Sequence, residues 1–185
     1  DPRILAAIAY VSSRYFCVDL FVRGAYSEFS AMAFYPLALY GFARYGMEKN
    51  HRALIIGSAA FTAVQLSHNP TALLFAPVLA GFAIFQAIDQ KSWRLLAWQI
   101  AALGLGVALA AFFWVPALAD IGNVHSERLT GGYFDYKLHF VEPHQLVSTF
   151  WGYGGSVPGP DDQMSLSLGW SHVLLGLIAV TVSIW

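Results

Sequence analysis

Thirty-six consecutive residues, 53–88, contain no Asp, Glu, Lys or Arg. Two further charge-free runs, 95–119 and 163–185, hold 25 and 23 residues, and 29–43 adds 15. A helix needs roughly 20 mostly apolar residues to cross a hydrocarbon core of about 30 Å. A helix on the surface of a soluble domain instead sets a charged face opposite its apolar stripe. Charged residues make up 11% of the chain, against about 25% in soluble domains. These runs exclude a soluble single-core enzyme and a disordered tail. The formal net charge of −1 supplies no basic field for a phosphate backbone, so no nucleic acid partner is expected. The partner the runs require is a lipid bilayer. Cys17 is the one cysteine, so no intrachain disulfide can form and the redox compartment is not legible from it.

The pattern predicts an all-α polytopic transmembrane bundle of about five spans, with an extracytoplasmic region of mixed strand and coil. Residues 1–25 read as an outer interfacial segment. Ile4, Ile8, Val11, Tyr15, Val18 and Val22 fall at helical steps of three and four, but Arg14 and Asp19 interrupt the run. Residues 26–119 read as the bundle, with spans at about 27–44, 53–67, 71–88 and 95–119. Pro36 predicts a kink in the first. The run 53–88 is too long for one helix, and Asn69-Pro70 offers an N-cap followed by a proline at the first helical position. Gly104 and Gly106 allow close helix approach in 95–119. Residues 120–170 form the extracytoplasmic region, and 171–185 begin a span that is cut short. Those 15 residues make about 22 Å of helix, so the chain reads as part of a longer polytopic protein.

Lys and Arg set the orientation. Arg44, Lys49 and Arg52 in one loop, with Lys91 and Arg94 in another, place both loops on the cytoplasmic side. Segment 120–170 then lies outside, with Arg128 and Lys137 against six acids. Arg14 and Arg23 fall outside as well, which demands a job or a partner for each. Residues 133–140 alternate apolar and polar, a strand signal. Residues 151–162 hold four Gly and two Pro and must be loop.

Three clusters carry candidate chemistry. Asp19 and Arg23 are spaced i, i+4 and can pair on a helix, while Glu28 opens a span where the helix dipole favours a carboxylate. They read either as a boundary ion pair with a helix-start acid, or as a cationic site for a lipid-linked phosphate with a carboxylate base beside it. Ser67-His68-Asn69 interrupts the longest charge-free run, and its polar groups either cap two helix ends or line a ligand pocket. In the outer region Trp151 and Tyr153 offer faces for sugar C–H groups, and Asp161 and Asp162 can accept sugar hydroxyls or bind a divalent cation. A turn rich in Asp, Gly and Pro with interfacial aromatics accounts for the same residues. His139 and His144, five apart, do not fit a zinc site.

Several strings together resemble a known family. They are Asp19-Leu-Phe-Val-Arg-Gly-Ala-Tyr-Ser-Glu28 before a run holding Pro36, Ser67-His-Asn69, and Phe113-Trp-Val-Pro-Ala-Leu118. His139-Phe140 leading to Gln145-Leu146, Trp151-Gly-Tyr-Gly154, and Met164-Ser165 before Gly169 complete the set. The chain resembles the bacterial membrane proteins labelled 6-pyruvoyl-tetrahydropterin synthase-related, similar in layout to GT-C glycosyltransferases that use polyprenyl-phosphate sugars. The resemblance implies residence in a bacterial cytoplasmic membrane and sugar transfer at its outer face from a lipid-linked donor. It also implies a catalytic acid in a first outer loop upstream of this chain. Pterin chemistry is not expected, because the histidine trio of the soluble synthase has no counterpart here. On this reading Glu28 and Asp19 serve as base or acceptor-orienting groups and Arg23 holds donor phosphate. His68 and Asn69 bind polar groups, and Trp151, Tyr153, Asp161 and Asp162 meet the sugar. No cofactor is required, with a divalent cation left open. The alternative is a non-catalytic transporter or scaffold for envelope glycan or lipid assembly. A transporter would show polar residues or broken helices near mid-bilayer, and spans 71–88 and 95–119 carry only Gln86 and Gln99, both near the inner end.

Overall fold

Helix dominates the described residues, which are 2–123 and 131–184 of the computed structural model. Glu127 and Arg128, which enter the charge balance above, lie outside them. In chain order the helices are α1 Pro2–Val11, α2 Arg14–Val18, α3 Tyr26–Glu48, α4 His51–Ser67, α5 Asn69–Asp89, α6 Trp93–Leu109, α7 Ala111–Ala119, α8 Pro143–Leu146 and α9 Trp170–Ile184. The chain divides into two units, residues 26–124 and residues 1–25 with 125–185.

The bundle unit, 26–124, is built from α3 to α7. Lys49, at φ 55°, turns the chain back, and the Asn50 side chain then caps α4 by accepting from the Arg52 and Ala53 amides at 3.1 and 3.2 Å. Ser92 caps α6 in the same way through the Leu95 amide. Small residues let the helices touch. A Cβ on Gly41 of α3 would overlap the Ala53 carbonyl and the Gly57 backbone of α4. A Cβ on Gly46 would run into the Gln86 side chain of α5. Phe42, Val64 and Leu79 are fully buried between these contacts.

Polar side chains then join the helices. Ser58, Thr62 and Gln65 share one face of α4 and donate to α6 carbonyls, Ser58 to Ala102 at 2.7 Å and the other two to Gly106 at 3.0 Å. Such interhelical bonds in membranes contribute on average about 0.6 kcal/mol each, up to about 1.7. Buried Gln99 on α6 donates to the Phe42 carbonyl of α3 at 3.1 Å. Gln86 and Gln99 are thus used in packing.

Two expectations fail, although the all-α class stands. By length and composition two described stretches can cross a membrane, Arg3–Arg23 and Asn69–Asp89, and a third if α6 and α7 count as one broken span. About five spans are not present among the described residues. Helix α4 is 17 residues, about 25 Å, short of the hydrocarbon core. Helix α3 is long enough, but four Tyr, Glu28, Arg44 and Glu48 dilute its apolar character. The run 95–119 breaks at Ala110, where α7 departs from α6 by 65°. The Trp114 indole donates to the Val107 carbonyl across that bend at 3.0 Å, a second bond on an oxygen that already accepts from the Ala110 amide at 3.1 Å. Helix α9 has 15 residues.

The second failure is the strand at 133–140. Its backbone forms 3₁₀ turns at Gly132–Phe134 and Tyr136–Leu138, joined at Asp135, whose carboxylate accepts from the Lys137 amide at 3.0 Å. A local side-chain bond of this kind competes with strand pairing. No strand occurs among the described residues. A single antiparallel bridge, Tyr153 with Met164, is the one extended pairing there.

The terminal unit contains α1, α2, α8, α9 and the loops between α8 and α9. Arg14 has the job its place in the sequence demanded. Its guanidinium donates to the carbonyls of Ser148, Thr149 and Phe150, at 3.3, 2.9 and 2.7 Å, and lies 5.4 Å from the Trp151 ring centre. His172 of α9 reaches the Ala9 carbonyl of α1 at 2.7 Å. Gln145 holds both sides of a loop, accepting from the Glu142 amide at 2.7 Å and donating to the Pro160 carbonyl at 3.0 Å.

Candidate functional site

In the bundle unit the α4–α5 junction gathers a polar cluster. His68 leaves the helix with extended backbone and starts α5 with Pro70 in its first turn. Thr71 donates its hydroxyl proton to the His68 carbonyl at 3.1 Å, and its oxygen lies 3.2 Å from His68 Nδ1. One turn along α5 from Thr71, Phe75 stacks on the Tyr35 ring of α3 at 4.2 Å. Buried Glu28 lies two turns before Tyr35 on α3.

An apolar groove of about 600 Å³ opens beside this cluster. The 65° bend turns α7 away from α6, and Phe61, Leu73, Val107, Phe113 and Trp114 line the space together with the carboxamide residues Gln65 and Asn69. Asn69 therefore lines the groove while its neighbour His68 belongs to the polar cluster.

The terminal unit holds the other candidates. Residues Asp19–Arg23 form one π-helical turn, closed by Gly24 at φ 63° with its amide on the Asp19 carbonyl. Such turns occur often at functional sites. Arg23 Nη1 lies 2.7 Å from the fully buried Asp19 carboxylate and 3.1 Å from the Tyr15 hydroxyl. Asp19 and Tyr15 thus orient Arg23, whose side chain stays about one-third exposed. Trp151 and Tyr153 meet edge to face at 6.1 Å, with Arg14 on the Trp151 ring.

Asp161 and Asp162 face a separate cavity of about 300 Å³ that Trp151 and Tyr153 do not line. Asp162 is committed to its own turn, accepting from Ser156 Oγ at 2.7 Å and from the Met164 amide at 2.9 Å. Among the described residues no three His, Cys, Asp or Glu side chains converge as a metal site.

A model of the 6-pyruvoyl-tetrahydropterin synthase related domain, described as a membrane protein, matches residues 2–184. The chain belongs to that family. Membership and the apolar helices together make this an integral membrane protein. No curated protein and no solved structure matches the chain. Within this 6-pyruvoyl-tetrahydropterin synthase-related protein, sequence reasoning missed Tyr35 and Thr71, and it marked Arg14 only as a cation in need of a partner. Thr71 was within reach, since a Thr three residues after a helix-break His is placed to bond it. Arg14 bonds carbonyls more than 130 residues away, and no local pattern signals that.

Proposed function

We propose that this protein is a membrane glycosyltransferase of GT-C-like layout that takes a sugar from a polyprenyl-phosphate donor. The reaction would occur at the outer face of a bacterial cytoplasmic membrane, with 120–170 extracytoplasmic. The observation that carries this reading is the junction of an apolar groove with a polar cluster at His68 and Asn69. A substrate with a long hydrocarbon chain and a polar head suits that junction: the chain fills the groove, and the head meets His68, Asn69 and Glu28.

In the step proposed, an acceptor hydroxyl attacks the anomeric carbon, and a new C–O bond forms as the bond to the phosphate oxygen breaks. Polyprenyl phosphate leaves with the bonding pair, and the hydroxyl proton passes to a carboxylate. Glu28 is the base in this assignment. In the terminal unit, taken by itself, Asp19 is committed to Arg23, which supports a positioning role for Asp19 and leaves Arg23 suited to a phosphate. Trp151, Tyr153, Asp161 and Asp162, in that same unit, are groups suited to sugars.

The test is mass spectrometry of envelope glycolipids and glycans in a host lacking the full-length gene, complemented with wild type, Glu28→Gln or Arg23→Ala. Loss of one sugar, accumulation of its lipid-linked donor and failure of both variants to rescue are expected. An unchanged glycan profile, with well-expressed variants restoring envelope integrity, would replace the transferase by a scaffold or transporter.

A further inference from the structure

The cavity between α8 and the 160–166 segment contains a hydroxyl with nothing to bond. Ser165 is 6% exposed, lines the cavity, and its Oγ has no hydrogen-bond partner among the described residues. A buried polar group left unsatisfied costs about 1–3 kcal/mol, so the site calls for an occupant that supplies a polar partner. Around Ser165 stand Asp161 and His144, neither bonded through its side chain to a described residue, and Ser148, whose Oγ accepts from the Phe150 amide at 3.1 Å and keeps its proton to give. Phe150 and Met164 supply apolar wall.

We infer that this cavity binds one neutral sugar ring. Elimination carries the chemistry. A phosphate would face Asp161 and Asp162 with no cationic Lys or Arg in the lining. A divalent cation wants six or more oxygen ligands, and among the described residues no three His, Cys, Asp or Glu side chains converge here. A hydrocarbon chain would leave the Ser165 hydroxyl stranded. A sugar offers donors to Asp161, donors and acceptors to Ser165, Ser148 and His144, and a C–H face to Phe150. The volume of about 300 Å³ is at the small end of ligand pockets and suits one ring. Binding stands on the cavity's own groups; the further assignment, that the ring belongs to the glycan acceptor, rests on the transferase reading.

The experiment is saturation-transfer NMR on the full-length protein in nanodiscs. The probes are methyl β-D-glucopyranoside, methyl α-D-mannopyranoside and methyl β-D-galactopyranoside, with inorganic phosphate as comparison. At least one glycoside should show saturable binding, weakened tenfold or more by Asp161→Ala and by Ser165→Val, while phosphate shows none. Asp161 is exposed, so its variant keeps the test valid where Ser165→Val fails to fold. No saturable glycoside signal, saturable phosphate, or wild-type affinity in Asp161→Ala would overturn the inference. Sugar transfer assayed on the same samples separates the two readings. Transfer without glycoside binding defeats this inference alone, and binding without transfer defeats the transferase and leaves the site.

Discussion

In the bundle unit neighbouring helices touch through glycine and alanine, whereas in the terminal unit distant segments are joined by side chains that donate to bare carbonyls. Gly41 against Gly57 is the bundle's mode; Arg14 on three carbonyls of 148–150 is the terminal unit's. The difference teaches what each unit tolerates. Helices surrounded by hydrocarbon gain little from burying apolar surface, so close approach and a few polar bonds must supply cohesion. Irregular loops have unpaired carbonyls, and a cation that collects several of them fixes the loop. Added bulk should therefore harm the bundle, and lost donors should harm the terminal unit.

The largest effect is expected from Gly41→Leu. The side chain has no space beside Ala53 and Gly57, and overpacking of this kind costs about 3 kcal/mol or more. The protein should lose its monodisperse peak in detergent. Gly104→Leu is the control, because a Cβ there meets nothing within 4 Å, and it should stay within about 0.5 kcal/mol of wild type. Equal damage from both would break the comparison on the bundle side.

Arg14→Met comes next. Loss of its charged hydrogen bonds should weaken the 148–151 loop by about 2–3 kcal/mol, seen as faster hydrogen exchange and proteolysis there with α3–α6 unchanged. Arg14→Lys should not restore protection, since one ammonium lacks the planar fork that reaches several acceptors. Protection that survives Arg14→Met would mean that the loop is held by other contacts.

Ser58→Ala should cost about 1 kcal/mol, the loss of one interhelical bond, read as a small fall in unfolding temperature. Tyr35→Phe should be smallest in stability, within about 1 kcal/mol, because the stack on Phe75 is retained, read as a nearly unchanged unfolding temperature.

The sequence makes the helical class and the membrane partner legible because charge-free runs report solvent directly. It misleads on span number for a physical reason: absence of charge is not the same as length. Helix α4 is 17 residues long and opens on His51-Arg52, and the 95–119 run bends at Ala110, where Trp114 bonds back to Val107, an event invisible to periodicity. Alternation at 133–140 imitates a strand, but Asp135 bonds its own turn first. At the candidate site, Asp19 with Arg23 is readable from i, i+4 spacing, though not the π-turn that carries it. Thr71 beside His68 is local and readable in principle. Ser165, Tyr35 and Arg14 gain their meaning from partners or cavities formed by folding, so the sequence marks Arg14 only as a cation in need of a partner and gives the other two no role.

The most direct measurement is sugar transfer by the purified full-length protein in proteoliposomes, using labelled polyprenyl-phosphate sugars and envelope glycan as acceptor. Wild type should move label to the glycan. Glu28→Gln should lose about 100-fold or more of that rate while unfolding at the same temperature as wild type. Wild-type rates in Glu28→Gln, or no transfer by wild type from any of the polyprenyl-phosphate sugars, would contradict the account.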